Sequence, residues 1–103
     1  MGYVYLIGEI DNPNTFKIGS TRKHNIEDRK KELQTGNSNE LYIKDYFQTD
    51  KPFKLEQMLH FYYKMDNKIN EWFVLDENKQ KDFNNICKKY QNIIETLKDN
   101  PFF

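Results

Sequence analysis

The sequence predicts an α+β (α/β) fold, a small central antiparallel sheet of three strands flanked by three helices. Three observations predict it. Short stretches rich in aromatic and branched residues, with apolar side chains at every second position, occur at 2–8, 16–18 and 41–47. Apolar residues at helical spacing follow at 26–33, 55–65 and 83–97. Turn and cap residues punctuate the boundaries, and no internal repeat or linker divides the 103 residues, so one domain over 1–103 is expected.

Gly2–Gly8 reads as the first strand, and Asp11-Asn12-Pro13-Asn14 as a turn by its Asx and Pro content. Thr15–Ile18 is the second strand, so the two form a hairpin, with Phe16 and Ile18 on one face and Lys17 on the other. Gly19 and Ser20 break that alternation, and Gly19 permits close approach of another group. Asn25 caps a first helix whose opening turn carries Glu27 and Asp28, the sign that a helix N-terminus favours. Ile26, Arg29 or Lys30, and Leu33 share one side of it. Arg29 therefore sits between core-facing positions, and either snorkels past the core edge or points into a site.

Gly36 is a candidate C-cap, and Leu41–Phe47 reads as a third strand with Leu41, Ile43 and Phe47 on one face. Pro52 introduces a second helix running to about Met65, with Leu55, Met58, Leu59, Tyr62 and Met65 as its stripe. Glu56 and His60, four residues apart, project from neighbouring positions of one face. Asn67–Asn70 reads as a loop and Glu71–Leu75 as a short extended segment, with Trp72 and Phe73 anchoring the last helix to the sheet. Asp76 caps that helix, about 77–97, whose Phe83, Ile86, Cys87, Tyr90, Ile93, Ile94 and Leu97 are core positions; Asn100–Phe103 is a tail that ends it.

Composition bounds the function. Hydrophobic residues make up only 37%, but the 16% aromatics supply large burying surfaces, enough for a modest core. A lone Cys87 excludes an intrachain disulfide and a cysteine-based zinc site, and suits a reducing compartment. No long apolar run or signal peptide is visible, so no membrane association is expected, and an intracellular protein of cytoplasm or nucleus is. Sixteen Lys plus Arg balance sixteen Asp plus Glu, which counts against strong non-specific nucleic-acid binding. A local basic face remains: Arg22, Lys23, His24, Arg29, Lys30 and Lys31 fall within ten residues, although Glu27, Asp28 and Glu32 interleave with them.

The order hairpin, helix, strand, helix, short strand, helix, carrying Tyr3-Val4-Tyr5, Lys17-Ile18-Gly19, Arg29 with Leu33, Leu55-Glu56-Gln57-Met58-Leu59-His60 and Glu71-Trp72-Phe73, resembles the GIY-YIG nuclease family. The match runs over about 2–75. It looks most like the short branch of that family found in bacteriophages, bacteria, fungi and large DNA viruses. Two departures stand out. Lys17 replaces the more usual tyrosine of the second tripeptide, though lysine is normal in the short branch. No separate DNA-recognition domain is expected, so specificity would come from a second copy, as a homodimer, or from a partner protein.

The resemblance implies a metal-dependent endonuclease acting on DNA. Phosphodiester hydrolysis needs an activated water, a Lewis acid and a cation for the developing charge. By resemblance, Glu56 would bind one Mg²⁺ or Mn²⁺, Arg29 would grip the phosphate, and Tyr5 would orient or deprotonate the water, with Lys17 favouring the phenolate. His60 would donate a proton or steady a phosphate, or else simply pair with Glu56 at the surface. Glu71 would support the metal, pair with Arg29 or Lys17, or only shape a turn. Arg22, Lys23, His24 and Lys30 are the candidate nucleic-acid contacts, and Tyr3, Gly19, Trp72 and Phe73 belong to the structural motif. The alternative is a catalytically weak or inactive nucleic-acid-binding or interaction module on the same fold.

Overall fold

The computed structural model describes residues 1–98, so the tail expected at Asn100–Phe103 lies outside the described residues. The elements are β1 (Gly2–Glu9), β2 (Asn12–Thr21), α1 (Ile26–Thr35), β3 (Leu41–Thr49), α2 (Pro52–Tyr62), β4 (Asn67–Ile69), β5 (Trp72–Val74) and α3 (Glu77–Leu97). The sheet is antiparallel with the order β3-β1-β2-β5-β4, five strands rather than the three expected. Two corrections produce the difference. The expected loop 67–70 is a short edge hairpin, in which Asn70 takes φ 51° and the Asn67 side chain donates to the carbonyls of Asn70 (2.8 Å) and Trp72 (3.1 Å). Asparagine tolerates that left-handed turn, but Asn67 and Lys68 are poor strand formers, which hides β4. The extended segment after it is a full strand, pairing Phe73 with Phe16 and Trp72 with Lys17.

The faces of the sheet are unequal. Val4, Leu6, Phe16, Ile18 and Phe73 face α2 and α3, where they pack with Leu55, Leu59, Tyr63, Phe83, Ile86, Cys87 and Ile94. Tyr5, Ile7 and Leu41 face α1, with Ile26, Leu33, Ile43 and Trp72 partly buried around them. Cys87 is a buried core residue, and α3 keeps the extent and stripe its spacing implies. Asn25 caps α1 by accepting from the Glu27 amide at 2.8 Å, and Asp76 caps α3 from the Lys79 amide at 2.9 Å.

Three local expectations fail for identifiable reasons. In β3 the register shifts between the partners of Leu6 and Ile7, leaving Lys44 as an extra residue. That bulge flips the alternation, so Leu41 and Ile43 face α1 while Asp45 and Phe47 face the other helices. Helix α2 ends at Tyr62, followed by a 3₁₀ turn over Lys64–Asp66 that leaves Met65 87% exposed. Trp72 does not anchor α3: it lies on the α1 side, and Phe73 alone reaches the main core. No helix among the described residues is long and apolar enough to cross a membrane.

The split between adjacent rings is measurable. Phe73→Ala should cost about 3–5 kcal/mol, the range for a fully buried aromatic, and Trp72→Ala clearly less, as read from chemical denaturation followed by circular dichroism. Equal costs would place both rings in one core.

Candidate active site

Strand β2 is longer than its neighbour on one side. It pairs with β1 through Thr21, but its ladder with β5 stops at Lys17, closed by the Ile18 amide donating to the Glu71 carbonyl at 3.0 Å. The expected break at Gly19 and Ser20 does not occur, and 18–21 form a free half-edge. Side chains still alternate there: Lys17 and Gly19 belong to the α1 face, Ile18 and Ser20 to the α2 face. Both faces therefore reach one cleft at this edge.

On the α1 side Tyr5 is 1% exposed and sits opposite Gly19 in the register. A β-carbon at Gly19 would collide with the Tyr5 hydroxyl and ring, so glycine is required for the phenol to lie there. The Arg29 Nε donates to the Tyr5 hydroxyl at 3.4 Å, and its Nη1 meets Glu32 at 3.2 Å. Helix α1 turns Ile26 and Leu33 to the sheet and carries Arg29 to the cleft with them, so Arg29 points inward. Burial raises the Tyr5 pKa above the usual phenol value; the Arg29 guanidinium pulls the other way, and the Glu71 and Glu56 carboxylates add to the rise. The acids on the far side of the strand are thus within electrostatic reach of the phenol.

On the α2 side, Ser20 Oγ donates to Glu56 Oε1 at 2.5 Å, and His60 Nε2 lies 2.7 Å from the Ile18 carbonyl and 3.9 Å from Glu56 Oε2. A bond to a carbonyl needs the proton on Nε2, which leaves the lone pair of a neutral ring on Nδ1. Phe73 braces this imidazole edge-on, with ring centroids 5.0 Å apart. At the end of the β2–β5 ladder, Lys17 Nζ pairs with Glu71 Oε2 at 2.8 Å and stands 5.8 Å from the Trp72 ring. Lys17 thus takes Glu71, one of the partners the sequence leaves open for that acid.

Glu56, His60 and Glu71 each offer a ligand atom within 4.8 Å of the others. Two carboxylates and an imidazole suit Mn²⁺ or Mg²⁺ with the remaining positions held by water, although the Ile18 contact of His60 and the Lys17 pair of Glu71 leave Glu56 the freest donor. Ser20 is the residue that sequence reasoning missed. The signal was its place two positions after Ile18, on the same strand face, had β2 been read as continuing.

The loop after β2 and helix α1 hold the other candidates. Arg22 lies 5.8 Å from the Phe53 ring, Lys23 pairs with Glu32 at 3.2 Å, and Lys30 pairs with Glu27 at 3.4 Å. The His24 carbonyl accepts from the Tyr3 hydroxyl at 3.4 Å, and Tyr3 packs edge-on against Tyr46. Arg22, Lys23 and His24 are exposed, and Lys30 is half-buried.

Fold and site together define a small α+β domain in which a guanidinium, a buried phenol and two carboxylates border one cleft. The family model for the T5orf172 domain matches residues 2–91, and the chain belongs to that family, a phage-derived domain associated with nuclease-like folds. No curated protein and no solved structure matches the chain.

The buried hydroxyls give a pH prediction. Burial raises the pKa of both Tyr5 and Tyr63, so the folded state favours their neutral forms. A folded pKa above the unfolded one contributes stability that is complete below about pH 10, the unfolded phenol value, and is lost as pH rises through the folded pKa. Denaturant midpoints should hold from pH 7 to about 9 and fall steadily beyond 10; a flat profile to pH 11 would contradict the burial of these hydroxyls.

Proposed function

We propose that the chain is a divalent-metal-dependent endonuclease of the GIY-YIG type, hydrolysing DNA phosphodiester bonds. The observation that carries the reading is the Arg29–Tyr5 hydrogen bond in a cleft bordered by Glu56. A phenol that orients water, a planar fork that binds phosphate oxygens and a carboxylate for a metal are the groups this reaction needs. Membership of the T5orf172 family supports a nuclease-related or DNA-interacting role.

In this reading Glu56, held by Ser20, binds one Mg²⁺ or Mn²⁺, with His60 and Glu71 within reach. When bound, the metal supplies Lewis-acid stabilisation and an acidified water. Arg29 turns from Glu32 to the non-bridging oxygens while Tyr5 steadies its Nε. Tyr5 keeps its proton at neutral pH, so it positions the water through its hydroxyl, and its ionisation would raise the rate on the alkaline side. Glu71 fixes the Lys17 ammonium at the cleft rim, where it meets a phosphate. Arg22, Lys23, His24 and Lys30 line the approach of DNA, and a second copy or a partner protein supplies specificity.

A binding module on the same fold is the second reading, favoured by the raised Tyr5 pKa and the zero net charge. Nicking of supercoiled plasmid with Mg²⁺ or Mn²⁺ separates the two. The parent should nick, and Glu56→Gln should abolish cleavage with little change in melting temperature. No metal-dependent nicking by the parent leaves the binding module; nicking at the parent rate by the variant moves the metal off Glu56.

Arg29→Lys keeps the charge but loses the fork. Turnover should fall roughly 10²-fold or more, the scale of losing one donor to a developing anion, while DNA affinity falls far less, because one phosphate contact is a small share of binding. Equal losses in the two measurements would make Arg29 a docking residue.

A further inference from the structure

The free half of β2 and helix α2 run side by side and touch at three regular points. The Ile18 carbonyl meets His60, Ser20 meets Glu56, and Arg22 meets Phe53. Along the chain these are alternate residues, 18 and 20 in β2 and 22 just past its end; on the helix they are 60, 56 and 53, one stripe at helical spacing. The first two contacts belong to the candidate site. The third continues the line one helical turn past Glu56 and has no part in the chemistry proposed above.

Phe53 is 60% exposed, a large apolar ring left open to solvent. Nothing in the fold requires it there, because the core side of α2 is filled by Pro52, Leu55 and Leu59. Its partner Arg22 forms no ion pair among the described residues, unlike Lys17, Lys23, Arg29 and Lys30, each of which has a carboxylate. A flat ring with an unpaired guanidinium beside it offers a π-face and a phosphate donor together. About 5–6 Å separates the β-carbons of residues three apart on a helix, so a nucleotide on Phe53 adjoins a phosphate held at Glu56. Bases in a duplex are already stacked and cannot lie on the ring.

We propose that Phe53 and Arg22 form a stacking platform for one unpaired base next to the scissile phosphate, so that the substrate is single-stranded or locally opened DNA. This rests on reading the cleft as a DNA-cleaving centre, and it names the substrate of that centre.

The test is binding in EDTA, where cleavage plays no part. Fluorescence anisotropy compares one labelled oligonucleotide as a single strand and as a duplex, with the parent, Phe53→Ala and Phe53→Tyr. The parent should prefer the single strand. Phe53→Ala should weaken single-strand binding roughly 10-fold, within the range for losing one stacked base, and leave duplex binding unchanged; Phe53→Tyr should retain the preference. Since Phe53 is exposed, all three should melt alike. Equal affinity of the parent for both forms would overturn the platform, as would equal losses on both forms in Phe53→Ala. No loss on either form would also overturn it, and would assign the exposed ring to a protein partner. The two readings fail separately: a parent that nicks plasmid without a single-strand preference keeps the nuclease and loses the platform. A parent that never nicks but shows Phe53-dependent single-strand binding keeps the platform and loses the nuclease.

Discussion

The Tyr5 ring occupies the space in front of Gly19, and the candidate site depends on that contact. The two residues face each other across the β1–β2 pair, so the hairpin register decides the meeting. A one-residue slip would send Tyr5 to the opposite face and bring a side chain against it. With the ring laid flat over glycine, its hydroxyl reaches the sheet edge, where Arg29 comes down from α1. Helix α1 buries none of its residues fully, so its position rests on Ile26 and Leu33, on the Asn25 cap and on the Gln34 side chain. Gln34 accepts from the Leu41 amide and donates to the Asn39 carbonyl, both at 2.8 Å, which fixes the far end of the helix to β3. A lightly packed helix thus delivers a well-placed guanidinium.

The same edge explains how a lysine can stand at the second motif. In β2 the position of Lys17 faces α1, next to a buried phenol, where a free ammonium would be poorly solvated. The β2–β5 ladder places Trp72 opposite Lys17, and Glu71, one residue earlier, supplies the counter-charge. Lys17 and the Glu71-Trp72 pair therefore function as one unit, carboxylate to the amine and indole along its stem. Phe73, next in the chain, turns to the other face and braces His60. Three consecutive residues, Glu71 just before β5 and Trp72 and Phe73 within it, thus support side chains on both faces of the sheet.

Much of this was legible in the sequence because it is local or periodic. Asn25, Asp76, the stripe of α3 and the alternation through Phe16 and Ile18 follow from spacing and capping alone. Arg29 could be placed because Ile26 and Leu33 fix which side of α1 meets the sheet. What was not legible depends on partners distant in sequence. The Lys44 bulge exists only against β1, and Trp72 could be assigned to a face only once β5 was known to pair with β2. Ser20 looked like a strand end because Gly19 precedes it, and the need for that glycine lies fourteen residues upstream, in the ring of Tyr5. The Lys17–Glu71 pair was one of several partners open to Glu71, and only the ladder selects it.

Net neutrality and a local concentration of cations are compatible because the cations are kept in exchangeable pairs. Arg29 and Lys23 share Glu32, and Lys30 holds Glu27 one turn earlier on the same helix. Glu32 is exposed, and its pKa is lowered first by Arg29 and then by Lys23, so it stays ionised. Such solvent-facing pairs are weak, and a phosphate with several charged oxygens outcompetes a single carboxylate for a planar guanidinium. Glu32 is then a partner on the open side that both cations can exchange for another anion. The Lys17–Glu71 pair differs in degree: its lysine is 18% exposed, less than Lys23, Arg29 or Lys30, although Glu71 is 40% exposed. On the proposed nuclease reading, Arg29, whose carboxylate partner lies on the open side of α1, is the cation free to follow charge developing on a phosphate.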